Sequence, residues 1–152
     1  MDVKVLGSLQ NLCSKRECCS PDIYKKALKA LDGDADAARE MVDALIADRF
    51  IDDARYASAF AREKSALTGW GPAKIRHALR MKGIDGASIS AALGEVDEEA
   101  ADQKMLKVIQ AKAKLLEGDE FIKFKLIKFA LSRGYDYDKV EKAVTSVLKE
   151  RY

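Results

Sequence analysis

One histidine, His77, three cysteines, Cys13, Cys18 and Cys19, and one adjacent acid pair following an apolar doublet, Asp52-Asp53, are the residues here whose chemistry could reach beyond packing and solvation. They assemble little. A zinc site would need four ligands from one imidazole and three thiols confined to a single short stretch, a poor geometry for a tetrahedral ion. No HExxH, paired CxxC or glycine-rich phosphate loop is present, and no nucleophile can be matched to a base. No metal, no cofactor and no enzymatic activity are expected. Three cysteines make no even disulfide framework, so reduced thiols packing as small apolar groups are expected, with a redox switch as the functional alternative. Asp52-Asp53 follows Phe50-Ile51 and opens a helical pattern, so capping of free N–H groups outweighs a metal role.

Charge carries more information. The 152 residues have a formal net charge of +2, yet between Ala54 and Ile84 stand Arg55, Arg62, Lys64, Lys74, Arg76, Arg80 and Lys82 against Glu63 alone. Such a local basic surface on a nearly neutral chain points to a defined anionic partner. Arg55 and Arg62 are seven apart, and Arg76 and Arg80 four apart, so each pair shares a helix face. A second basic series, Lys104, Lys107, Lys123, Lys125 and Lys128, occupies two later helices. Trp70, between two glycines, either covers a junction or serves as an exposed anchor; His77 reads as an ordinary helix residue.

The elements positioning these residues read as helix throughout. Apolar residues recur at three and four, β-branched alternation is missing, and breaks fall at Ser20-Pro21, Asp32-Gly33-Asp34, Gly69 to Pro72, Gly83 to Gly86, Gly118-Asp119 and Gly134 to Asp136. Sliding the chain by 51 residues aligns Asp34, Asp85 and Asp136 as helix caps, Pro21 with Pro72, and Gly83 with Gly134. Tyr24, Ile75 and Leu126 then coincide, as do Ala38, Ile89 and Val140. The first helices agree less well, through Leu6, Ala57 and Val108, then Leu9, Phe60 and Ala111. The expectation is an all-α fold of three tandem three-helix repeats, over 1–51, 52–102 and 103–152, stacked into an elongated, curved array. Ile75, Leu79, Ile89, Leu93, Leu126 and Val140 are its expected core, and Asp34, Asp52, Asp85 and Asp136 its caps. No apolar run approaches the roughly 18–20 residues of a spanning helix, and the opening MDVKVLGSLQNLCSKRE lacks signal-peptide order, so a cytoplasmic protein is expected.

The stretch Leu45 to Leu93 resembles the RecX family of bacterial regulators of the RecA recombinase. The resemblance is carried by Phe50-Ile51-Asp52-Asp53, Arg55-Tyr56-Ala57, Phe60, Gly71, Lys74-Ile75, Ala78-Leu79, Gly83-Ile84, Ile89 and Ala92-Leu93. The segment Gly71-Pro72-Ala73 departs from it, lacking the basic residue often found there. The resemblance implies a non-catalytic regulator that lies in the groove of the RecA–single-stranded DNA filament, hinders strand exchange and coprotease action and promotes filament loss. It is expected to act as a monomer, with no membrane and with single-stranded DNA as a further contact. The rival expectation is a helical protein that binds single- or double-stranded DNA directly. A net charge of only +2 counts against that rival.

Overall fold

The computed structural model describes residues 1–151. Among them the chain forms nine α-helices and no strand: α1 Val3–Lys15, α2 Ser20–Ala30, α3 Ala35–Ala47, α4 Asp53–Glu63, α5 Pro72–Met81, α6 Gly86–Gly94, α7 Glu98–Leu115, α8 Ile122–Ser132 and α9 Tyr137–Arg151. A single π-helical turn, Lys64–Thr68, extends α4 and ends at Gly69, whose φ of +73° suits a residue without a Cβ. No helix among the described residues is long and apolar enough to cross a membrane.

Helix starts follow the acids. Val5, Ala37 and Ala100 donate their N–H groups to the carboxylates of Asp2, Asp34 and Asp97, opening α1, α3 and α7. Arg55 and Ser88 donate likewise to Asp52 and Asp85, opening α4 and α6. Asp136 stands one residue before α9, and its carbonyl accepts the first intrahelical bond, from Val140 at 2.9 Å. The acids Asp97, Glu98 and Glu99 open α7 as its cap and first turn, and Lys112 and Lys114 stand in its last turn, both favourable to the dipole.

The chain divides into two compact units. The first comprises Met1–Ala59 and Leu79–Ala92, the second Phe60–Ala78 and the chain from Leu93 onward. In the first, α1, α2 and α3 enclose a core around Ile23, Met41, Leu45 and Ile51. In the second, α7, α8 and α9 enclose Ile109, Leu126, Val140 and Val144. At about 25 cal/mol per Å² such apolar burial is the main term holding each together.

The 51-residue register holds for two helices in three. Second helices end at Ala30, Met81 and Ser132, and third helices begin at Ala35, Gly86 and Tyr137, each 51 apart. The first helices depart from it. Their buried positions are Leu9, Ala57 and Met105, then Cys13, Ala61 and Ile109, spaced by 48, and Ala111 is exposed. The length difference is taken up in the connections that follow, where α4 runs on through its π turn and α7 is 18 residues long. Of the six expected core residues, Ile75, Leu79, Ile89, Leu126 and Val140 are buried. Leu93, near the last turn of α6, is only half-buried.

Candidate functional site

The second unit holds Arg62, Lys64, Lys74 and Arg76 of the first basic series together with the whole of the second series. The turn after α4 and the end of α8 are pinned by backbone bonds: Gly71 N–H donates to the Arg133 carbonyl at 2.7 Å and Ala73 N–H to Gly134 at 3.1 Å. The Tyr135 hydroxyl donates to the Gly69 carbonyl at 2.6 Å, and the Arg133 guanidinium to that of Thr68 at 3.3 Å. Gly71 and Gly134 permit this approach. A Cβ on Gly71 would run into the backbone of Gly134 and Tyr135, and one on Gly134 into the Lys74 backbone. The first unit has a milder counterpart, where a Cβ on Gly83 would meet Pro21 at 3.2 Å. Pro21, Gly83 and Gly134 of the sequence pairs are therefore contact points between chain segments as well as helix punctuation.

This clamp presents Trp70. Lys64 Nζ lies 4.8 Å and Lys74 Nζ 4.7 Å from the indole ring centroid, and the Phe60 ring meets it edge-on at 6.2 Å. Each cation–π contact contributes on the order of 0.5–1 kcal/mol at an exposed site. Beside Trp70 a cleft of about 310 Å³ is lined by Ile75, Val96, Tyr135 and Lys139 among others. Lys139 bridges Glu98 and Asp102 at 2.9 Å each, and these acids hold its ammonium above the usual lysine range. A second groove, of about 420 Å³, is lined by Arg62 from α4 and by Lys104 and Lys107 from α7. Members of the two basic series are thereby brought into one groove. Glu95 and Asp97 share it, the latter engaged in capping α7.

Other predicted residues are placed differently. Arg55 is engaged within the fold: its Nε meets Glu17 at 2.7 Å, and its guanidinium also donates to the Arg49 carbonyl at 3.1 Å. Glu17 accordingly holds that guanidinium above its usual pKa. Lys82 is paired with Asp22 at 2.9 Å and is raised by it. Burial pushes the Asp22 carboxyl up, but hydrogen bonds from Lys82 and Cys19 outweigh this and leave it lowered. Arg76 and Arg80 are exposed on α5, and neither has an ion pair among the described residues. In the secondary series Lys125 pairs with Asp119 at 2.5 Å, whereas Lys123 and Lys128 are exposed on α8.

Two features lay beyond sequence reasoning. Asp53, the second acid of the pair, reaches back to α2, accepting from Ser20 N–H at 2.7 Å and from Ser20 Oγ at 2.5 Å. It supplies the carboxylate that the N-cap residue of α2, Cys19, does not. Asp52 caps its own helix, so the two acids hold two helix starts. The Gly71–Gly134 approach is the other; its only trace in the sequence is the repeat of Gly83 at Gly134. The thiols of Cys13, Cys18 and Cys19 are free and buried. Burial pushes Cys13 up to about 12, reinforced by Cys18, and Cys19 up to about 11. No group of three or more His, Cys, Asp or Glu that could hold a metal occurs among the described residues.

These features define a class: an all-helical protein of three-helix elements in which Arg62, Lys104 and Lys107 line one groove. Comparison with known proteins makes the class specific. Residues 52–93 match the model described as RecX, second three-helix domain. The regulatory protein RecX of Clostridium botulinum (strain Eklund 17B / Type B) is 34% identical over 119 residues, covering 76% of this chain and 55% of that protein. That of Bacillus mycoides (strain KBAB4) is 30% identical over 114 residues, covering 74% and 42%. The chain thus spans about half the length of these curated relatives. The fold is that of the crystal structure of RecX from Lactobacillus salivarius, with a TM-score of 0.81 at 23% identity over 95% of this chain and 94% of that one. A second solved structure, titled regulatory protein RecX, has a TM-score of 0.82 at 23% identity over 94% of this chain and 70% of that one. The chain belongs to the RecX family.

Proposed function

We propose that this chain is a non-catalytic, cytoplasmic regulator that acts as a monomer without a cofactor. It binds the RecA–single-stranded DNA filament and inhibits strand exchange, ATPase and coprotease action. The observation that supports the reading is the convergence of Arg62, Lys104 and Lys107 on one groove. Unpaired cations of one sign repel each other and are relieved by an anionic partner, and complementary charge speeds docking and fixes register. In this reading Trp70, held by Lys64 and Lys74, adds an aromatic anchor near the basic groove. The three-repeat division at 51 and 102 belongs to the same proposal, with Arg62 and Trp70 in the second repeat and Lys104 and Lys107 in the third.

A second reading, direct binding of DNA without a filament, draws support from the same aromatic residue flanked by lysines. Fluorescence anisotropy separates the two. With labelled oligo-dT, bare or coated with the cognate RecA, the proposal expects binding to the coated strand at least about tenfold tighter. It also expects Arg62→Glu with Lys104→Glu to weaken that binding by about tenfold or more. Equal affinity for bare and coated strands, with a steep loss of affinity in salt, would favour the direct binder.

A further inference from the structure

The exposed face of α8 has no role in the groove described above. Phe121, immediately before the helix, is 61% exposed, Phe124 69% and Leu131 40%. The buried face of the same helix, Leu126 and Ala130, belongs to the core of the second unit. Helical spacing places Phe124, Lys128 and Leu131 together opposite that buried face, with Phe121 at their N-terminal end. Ile122–Ser132 contains three lysines and no acid. Asp119 engages Lys125, leaving Lys123 and Lys128 exposed without an ion pair among the described residues.

Two large aromatic side chains left in water along one helix mark an interaction surface more strongly than scattered apolar residues do. The charges select the occupant. A second copy of this chain would set lysine against lysine, so the partner face is acidic. Leu131 extends the stripe with an aliphatic side chain, which offers no stacking surface to a base but fills an apolar protein pocket. We infer that the exposed face of α8 docks into an apolar groove with an acidic rim on a protein partner. Phe121 and Phe124 are its anchors, Lys128 lies beside them on the same face, and Lys123 stands at its flank. The inference rests on the filament reading for the identity of that partner, the protein coat of the filament. It adds a protein contact separate from the Arg62–Lys104–Lys107 groove.

The test uses the full chain and three probes: oligo-dT coated with the cognate RecA, bare oligo-dT, and vesicles of mixed zwitterionic and anionic phospholipid. Phe121→Ser with Phe124→Ser should weaken binding to the coated strand at least about tenfold. It should leave binding to bare strand within about twofold, and helicity and melting as in the parent, because both rings are exposed. Lys123→Glu with Lys128→Glu should slow association with the coated strand and reduce its salt dependence. Unchanged binding of the Phe121/Phe124 variant to a coated strand that the parent does bind overturns the inference while leaving the filament reading intact. A parallel loss on bare strand, or parent binding to vesicles abolished by the same variant, overturns it in favour of a nucleic acid or a lipid surface. Failure of the parent to bind the coated strand removes the filament reading and the inference with it.

Discussion

Replacing Gly71 by alanine isolates the clamp behind Trp70. Gly71 is not in the left-handed region, so alanine suits its backbone, and the added methyl acts only by collision with the Gly134 and Tyr135 backbone. To relieve that collision the two segments must part, weakening Gly71 N–H to Arg133, Ala73 N–H to Gly134 and Tyr135 Oη to Gly69. At about 0.5–1.5 kcal/mol net for each of three bonds, the loss is about 1.5–4.5 kcal/mol. In a protein of this size each kcal/mol moves Tm by about 2–4 °C, so the variant should melt roughly 3–18 °C below the parent. Trp70 lies next to the substitution in the same unit, so its fluorescence is the natural probe, with circular dichroism as a second. Gly86→Ala is the control: nothing lies within 4 Å of its added Cβ, and it sits in the first turn of α6, so it should be neutral or slightly stabilising. A Gly71→Ala protein melting within a degree of the parent, with Trp70 emission unchanged, would refute the clamp as a determinant of stability.

Leu79→Ala, at a fully buried position, should cost about 2–5 kcal/mol in urea unfolding, and the half-buried Leu93→Ala distinctly less; equal costs would contradict the assigned core. Arg76→Glu with Arg80→Glu should change stability by no more than about 0.5 kcal/mol per site while lowering inhibition of the RecA ATPase by an order of magnitude or more. Lys25→Glu with Lys26→Glu should matter less, and full inhibition by the Arg76/Arg80 variant would make those arginines solvated surface. The buried thiols predict an alkaline effect. Cys13 and Cys19 keep their protons to about 12 and about 11, while an unfolded cysteine loses its proton at about 8.5. Above that value the unfolded chain binds fewer protons, so their contribution is complete below pH 8 and declines as pH rises toward 11. The urea midpoint should therefore fall between pH 8 and 9.5 in the parent and more shallowly in Cys13→Ala with Cys19→Ala; identical slopes would remove the thiols as the cause.

Legibility in the sequence followed the range of the interaction. Asp34, Asp52 and Asp85 act on N–H groups three residues away, so type and spacing sufficed to place them. The second and third helices keep their 51-residue register because proline, glycine and aspartate mark their ends. The first helices carry no such marks. Their apolar match at 51 was therefore outweighed by a register of 48 once the π turn and the long α7 are counted. Long-range pairs were illegible. Nothing local distinguishes Arg55, tied to Glu17 across 38 residues, from Arg62, which lines an open groove. The basic series was visible as composition. Its division into structural cations and unpaired ones depended on acids such as Glu17 and Asp22, far from it in sequence.

We propose that this chain restrains a recombinase filament. The most direct test is the single-stranded-DNA-dependent ATPase of the cognate RecA, followed as purified protein is titrated in at fixed DNA and physiological salt. Inhibition is expected at amounts well below one protein per RecA subunit, with a weaker effect from the Arg62→Glu/Lys104→Glu variant. An ATPase unchanged at a several-fold excess of folded protein, or inhibited only once the protein is abundant enough to cover the DNA itself, would contradict it.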